Sequence, residues 1–424
     1  MKCLFKNVYY VDSFMDEAEK GDILIDGDSI SEIGEHIEAS EDTEVIDCNF
    51  NKAIIPGLVN AHTHAAMTLL RGLGEEKPLK EWLEERIWPV EAKLTPQDIY
   101  WGTALALMEM ASMGVTGFAD MYFEMEEVGE AALKFGVRCA LSKGIIGTKE
   151  SNIEETLRLF EYFKDQKLVN VQVGPHAPYT VPIDMYKKLC HIAKEKNIGV
   201  HTHFMEAAWE RDYLKEKYDM VPVEFLENSG LLSVPVALLA HCVWIEKDEM
   251  EKIATPSVKV THNPSSNLKL GSGIAPLKGY LRKGVSVCLG TDGAASNNRL
   301  DVWEEMRLAA LLHKGNELDP TCCKSKEVLK MATFNGACAL GFDKVGRIKK
   351  SWKADLVMVD LDKPHYVGVE PSNLVQYLVY AGSSSDVIGT MVNGSWVYYY
   401  GSYSYKDVEE IKREAKKSRE RICS

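Results

Sequence analysis

The chain has 424 residues, of which 46% are hydrophobic, 26% charged and 9% aromatic, proportions that exclude a disordered chain, a collagen or a coiled coil and promise a sizeable core. With 49 basic against 63 acidic side chains and a net charge of −14, it gains nothing from counterion release, so nucleic acid and anionic membranes are poor partners. The richest apolar stretch, Thr103 to Met113, is broken by Glu109, short of a membrane span; 10 scattered cysteines without a CxxC pair, and an opening cut by Lys6 and Asp12, predict a soluble cytoplasmic protein with reduced thiols.

Over residues 1–56, short strand-like runs (CLFKNVYYV, GDILIDG, SISEIG, TEVID) alternate with acidic turns, a spacing suited to small antiparallel sheets. From Ile54 onward, apolar runs are followed by helical patterns. The strand candidates are IIPGLVNAHTH, GVTGFADMY, VRCALSKGI, NVQVGPHAP, IGVHTHFME, PVALLAHCVW, SVKVTHNP and GVSVCLGTDG, separated by helices such as PQDIYWGTALALMEMASM and PIDMYKKLCHIAKEKN. Eight such units predict an α/β fold built on a (β/α)8 TIM-type barrel. Cys322 and Cys323 read as helix residues. Val345–Ile348, Ala354–Val359 and Val387–Tyr399 read as strands, with a turn at Asn393-Gly394. Asp407 to Ile422 reads as a solvated helix. The expected organisation is a barrel over 57–344, a small β-sandwich built from 1–56 and 345–402, and a C-terminal helix over 403–424.

Eight of the 11 histidines lie between positions 62 and 262, most of them at the C-terminal ends of the proposed strands. Those ends form the mouth where such barrels do chemistry. Strand periodicity puts His62 and His64 on one face. With His203 and Asp292 they make a set of three nitrogens and one oxygen suited to Zn2+ and acceptable to Fe2+, with a position left for water. His201 shares a face with His203, so spacing alone does not choose between them. Glu206, three residues past His203, can reach that water and carry a proton from it to a substrate. His262, Asn263, Ser265, Ser266 and Asn267 read as groups bracing the mouth. Gly271-Ser272-Gly273 lacks the strand, helix and basic residue of a phosphate loop.

The runs PGLVNAHTH, HTHFME, LLAHCVW, THNPSSNLKLGSG and LGTDGAASNN together resemble the amidohydrolase superfamily. MTLLRGLGEEKPLKEWLEERIWPVEAKLT, GPHAPYT and GTDGAASNNRLDVWEEMRLAALLHKG extend the resemblance to its 5-methylthioadenosine/S-adenosylhomocysteine deaminases, which include 5'-deoxyadenosine deaminases. The resemblance implies one divalent metal per subunit, zinc before Fe2+ or Mn2+, on His62, His64, His203 and Asp292. It implies Glu206 as proton shuttle to the purine, His241 steering the water, Asp292 accepting the water's proton, and Glu91 and His176 as substrate contacts. Glu91 would accept two ribose hydroxyls and Trp88 would cover the base; the plain rivals are a solvated glutamate and a packed tryptophan. Relatives that accept the homocysteine substrate carry arginines after the third barrel strand, where this chain reads SKGIIGTKESN with Lys143 and Lys149; lysine offers charge without a bidentate fork. The expected activity is hydrolytic deamination of 5'-methylthioadenosine, 5'-deoxyadenosine or adenosine, with S-adenosylhomocysteine least favoured. Guanine, cytosine, pterin or s-triazine substrates are the alternatives within the superfamily, and a metal-free scaffold would need broken ligand positions. The expected partner is a small nucleoside, with neither nucleic acid nor membrane, in a homo-oligomer.

Overall fold

Five strands open the chain, β1 (Lys2–Tyr10), β2 (Glu19–Asp26), β3 (Ser29–Gly34), β4 (Thr43–Asp47) and β5 (Lys52–Pro56), in a computed structural model that describes residues 2–424. Eight more follow: β6 (Leu58–Thr63), β7 (Val115–Tyr122), β8 (Arg138–Ile145), β9 (Val169–Pro175), β10 (Val200–Phe204), β11 (Ala237–His241), β12 (Val258–His262) and β13 (Ser286–Leu289). Four come last: β14 (Leu356–Asp360), β15 (Val387–Val392), β16 (Ser395–Tyr399) and β17 (Ser402–Tyr403).

Strands β6 to β13 lie side by side in sequence order as one sheet, its paired strands parallel, with helical crossovers between successive strands as parallel pairing demands. Helices cover the outer face, so these strands are apolar almost throughout. The two edges then meet. Asp292 N donates to His62 O at 3.0 Å, while the Asn60 amide accepts from Thr291 N at 2.9 Å and donates to Thr291 Oγ1 at 2.7 Å. Closing the barrel thus puts the end of its first strand against the residues that follow its last.

The other nine strands form a separate sheet in the order β17-β16-β15-β14-β5-β1-β2-β3, with β4 beside β1. Both parts of the chain join where β14 runs antiparallel to β5, Val357 opposite Ile55. Strand alternation gives β14 two loyalties. Leu356 and Met358 enter the sheet's own core with Phe5, Ile25 and Ile54, whereas Val357 and Val359 join the apolar core around the barrel. Asn393 and Gly394 link β15 to β16 at φ of 52° and 73°, the left-handed pair that a type I′ hairpin needs. Arg138, at the start of β8, ties the two sheets: Nε and Nη2 donate to the Asp355 carboxylate at 2.6 and 2.9 Å, and Nη2 to Asn393 Oδ1 at 2.6 Å.

Four local expectations are corrected. The run IIPGLVNAHTH is two strands, because Ile54-Ile55-Pro56 belongs to the outer sheet; the chain crosses at Gly57, where a Cβ would sit 2.0 Å from Thr116 Oγ1. Val345–Ile348 forms no strand, as Arg347 and the Ile348 amide are turned toward Asp12 Oδ2. Cys322 and Cys323 lie in a bend before the helix Ser325–Lys330, since Cys323 takes a left-handed φ of 47°. The last helix, Val408–Cys423, is not solvated all round: Ile411, Ala415, Ser418 and Ile422 are buried on one face, and Arg421 pairs with Asp98 of the helix Pro96–Ser112. Among the described residues no helix is long and apolar enough to cross a membrane.

Candidate active site

His62 and Thr63 end β6, His64 follows, and Asp292 arrives three residues after β13. The seam described above draws these positions together. His62 Nε2 and His64 Nε2 lie 3.4 and 3.2 Å from Asp292 Oδ1. On β10, Thr202 turns outward to the Tyr186 hydroxyl at 2.7 Å, so His201 and His203 face inward. They divide the work by depth. His201 lies fully buried against His62, Nε2 to Nδ1 at 2.8 Å, while His203 reaches the mouth with its Nε2 3.3 Å from His64 Nε2.

The hydrogen bonds behind these rings fix their tautomers. His64 Nδ1 sits 2.6 Å from Met121 O, and His203 Nδ1 2.8 Å from His176 O. A carbonyl only accepts, so each Nδ1 carries a proton and Nε2 is the atom left to hold a cation once it is free of its own proton. The two Nε2 atoms therefore face each other across 3.3 Å, beside a carboxylate oxygen. His62 Nε2 and His241 Nε2 are also buried without a hydrogen-bond partner. Ring nitrogens and carboxylate oxygens of His62, His64 and Asp292, and likewise nitrogens of His62, His203 and His241, lie within 4.8 Å of one another. This donor chemistry fits a divalent cation, which would displace the proton on His64 Nε2 and satisfy the orphaned nitrogens.

Charge around the centre is set by burial and by neighbours. Burial pushes His62 down to about 4 and His203 well below its ordinary value. On His64 burial acts in the same direction but is outweighed by Asp292, which pushes it up to about 9; a cation on Nε2 takes the place of that proton. Asp292 ionises well below the usual carboxylate range, because the two imidazoles overcome its burial, and Ser266 and Ser296 hydroxyls donate to its Oδ2 at 2.6 and 2.8 Å. Burial pushes Glu206 upward. Its Oε1 accepts from Ser272 Oγ at 3.3 Å, and Oε2 lies 3.8 Å from His241 Nε2. His241 Nδ1 meets Asn267 Oδ1 at 2.8 Å. Backbone strain concentrates here: His241 and Asp292 hold left-handed φ of 74° and 60°.

Above the centre lies a cavity, open to solvent, whose walls include Glu91, His176, Glu206, His241 and Asp292. Glu91 Oε1 accepts from the Tyr122 hydroxyl at 2.6 Å, and its carboxyl is raised by burial, with Tyr122 opposing. His176 Nδ1 meets Thr180 Oγ1 at 2.9 Å, leaving Nε2 toward the cavity. Trp88 stands at the rim, 40% exposed. The outer walls are Leu79, Trp82, Leu83, Phe123, Ile146 and Leu270, and no lysine or arginine lines the cavity among the described residues. Lys143 is taken up by an ion pair with Glu155.

His262 does not brace the mouth. Its Nε2 meets His313 Nε2 at 3.0 Å under the helix Val302–Glu317. Ser265 likewise faces Glu305 of that helix through its amide, whereas Ser266 and Asn267 do reach Asp292 and His241. Tyr122, Ser272 and Ser296 escaped the sequence reading. A tyrosine on an apolar strand reads as core, and a serine between glycines reads as loop. The only signal for Ser296 was its place in the run after Asp292.

Residues 53–397 match the amidohydrolase family. The chain is similar to a 5-methylthioadenosine/S-adenosylhomocysteine deaminase of Dictyoglomus turgidum, 46% identical over 400 residues and 93% of each chain. It is similar to a 5'-deoxyadenosine deaminase of Methanosarcina mazei, 40% identical over 430 residues, 99% of this chain and 98% of the other. Among solved structures, an adenosine deaminase from Xanthomonas campestris with bound zinc superposes with a TM-score of 0.93 at 30% identity, covering 99% of this chain and 98% of that one.

Proposed function

The chain belongs to the amidohydrolase family, and we infer that it is a hydrolytic deaminase of adenine nucleosides, replacing the 6-amino group by oxygen and releasing ammonia. One observation carries the chemistry: the Nε2 atoms of His64 and His203 converge beside an ionised Asp292 at the foot of the cavity that Glu206 enters. His62, His64, His203 and Asp292 would hold the cation, for which zinc suits the borderline nitrogen-rich set. When bound, a divalent cation supplies Lewis acidity that brings the ionisation of water from about 15.7 to near 7.

The protein's own groups do the rest. Asp292, held ionised, accepts the proton of the attacking water. Glu206, whose carboxyl burial pushes upward, gives a proton to N1 of the purine as charge develops on the ring at C6. His241 orients the water through Nε2, its ring fixed by Asn267. Proton return through Asp292 to the exocyclic nitrogen lets it leave as ammonia. Glu91 accepts the ribose hydroxyls, His176 contacts the base through Nε2, and Trp88 covers it. The 5' side of the cavity is apolar and without a cation, which favours a methylthio or bare methyl substituent over an amino-acid carboxylate.

The test is ammonia release and kcat/KM over adenosine, 5'-deoxyadenosine, 5'-methylthioadenosine and S-adenosylhomocysteine, beside guanine, cytosine, a pterin and an s-triazine, with metal analysis of the purified protein. Turnover of the first three with bound zinc is expected; activity confined to the other rings would overturn the reading.

A further inference from the structure

The segment that delivers Glu206 leaves β10 at Phe204 and enters the helix Trp209–Tyr218 at Trp209. Between them Met205 adopts a left-handed φ of 51°, a conformation that strains a non-glycine residue. Reversing the chain this way aims three successive amides, those of Met205, Glu206 and Ala207, at one point. Such a concavity of N–H groups is an anion site. Here the acceptor comes from the chain itself: Glu210 Oε2 accepts from Met205 N at 3.0 Å, and Oε1 from Glu206 N at 2.9 Å and Ala207 N at 3.0 Å, bonds that oppose the burial pushing its carboxyl up to about 7. Glu210 is 2% exposed. From the other side, Met205 O accepts from Val243 N at 2.8 Å and Trp244 N at 3.1 Å, so the bend is gripped on both edges.

Glu206 itself has little to hold it. Among the described residues its carboxyl takes one hydrogen bond, the 3.3 Å contact from Ser272. Its placement therefore depends on its backbone, and its backbone depends on Glu210. A capping box, in which a glutamate at the helix start accepts from the amide three residues before it, accounts for the bond from Ala207 N, but not for those from Met205 N and Glu206 N, which lie further back.

We propose that Glu210 is a positioning residue for the proton shuttle, holding the Met205–Ala207 bend so that the Glu206 carboxyl faces the substrate ring. This rests on the assignment of Glu206 as shuttle. Glu210→Gln keeps the volume but sets an NH2 group against the Met205 amide, so the bend relaxes. A displacement of about 1 Å at a reacting group costs up to about 10²-fold, and that is the expected fall in kcat for 5'-methylthioadenosine. KM and zinc content should stay within about twofold of the parent, because neither the metal ligands nor the residues assigned to the ribose and base are moved.

Glu206→Gln and the double variant complete the cycle. If Glu210 acts through Glu206, adding Glu210→Gln to Glu206→Gln slows kcat by no more than about twofold. A single Glu210→Gln with parental kcat overturns the proposal, as does a double variant in which the two losses multiply. If Glu206→Gln alone keeps parental kcat, it is the shuttle assignment that fails, a result distinct from either. Glu210→Asp, which keeps the charge but is too short to reach all three amides, serves if the glutamine variant does not fold. It should also lose kcat at constant KM. Failure of both variants to fold would overturn the proposal by making Glu210 a folding residue.

Discussion

Replacing Tyr122 by Phe removes one oxygen, and its consequence can be worked out in advance. The hydroxyl is the donor in a 2.6 Å bond to Glu91 Oε1, and Tyr122 is 4% exposed. A hydrogen bond to an ionised acceptor contributes about 1.5–3 kcal/mol. Water from the cavity can replace part of it, which leaves about 1.5 kcal/mol, or roughly tenfold in kcat/KM. The loss should follow the ribose: large for adenosine, small for 2',3'-dideoxyadenosine, which lacks the hydroxyls assigned to Glu91. The pH profile adds a second sign. Burial raises the Glu91 pKa and the Tyr122 hydroxyl opposes it, so losing the hydroxyl raises it further. Glu91 must be ionised to accept both hydroxyls, so the acid limb of kcat/KM for adenosine moves to higher pH. Steady-state ammonia release across pH for both nucleosides measures this. Equal losses on the two, or an acid limb that moves lower, would refute the assignment of Glu91 to the ribose.

Three further predictions concern stability and metal. Arg138→Met strands the Asp355 carboxylate, 1% exposed, with the Asn393 amide at 2.9 Å, and breaking a buried pair in this way costs about 3–5 kcal/mol; calorimetry should record a lower Tm while kcat at 25 °C stays parental, and an unchanged Tm would refute the tie between the sheets. Burial holds His313 down to about 4, so as pH falls from about 6.5 the unfolded chain takes a proton that the fold refuses; stability fully present above 6.5 is lost toward pH 4, up to roughly 3 kcal/mol at about 1.4 per unit, and His313→Gln should flatten Tm against pH in that window. Chelation should lower Tm and zinc restore it, by about 2.7 kcal/mol at a hundred times Kd; Asp292→Ala should abolish turnover and this zinc-dependent rise together.

The barrel was legible because parallel strands covered on both faces read as unbroken apolar runs, and the inner faces of β6 and β10 announced themselves by histidines two apart. The rest depended on backbone torsions and on which face of a strand is which. Val258 and Val260 lie in the core outside the barrel, and alternation sends His262 the same way, toward His313. The same parity would send His241 outward with Ala237 and Leu239; its left-handed φ of 74° turns it into the mouth instead, and no residue pattern records that torsion. Ile54-Ile55-Pro56 misled because both of its neighbouring sheets demand the same apolar residues. Glu210 carried a faint signal, a second glutamate one helical turn beyond Glu206, but only the folded bend reveals what it grips.

The seam between β6 and β13 has a bearing on biosynthesis. His62 and His64 are translated some 230 residues before Asp292, and they meet it only when the final stave of the barrel is set beside the first. A nascent chain therefore presents imidazoles without their carboxylate, a weak and unselective trap for cations. Full affinity would emerge once the ring of strands is fastened, so an ion held by these residues would work as a clasp on a finished hoop, and its uptake during refolding should be as late as any event in the barrel.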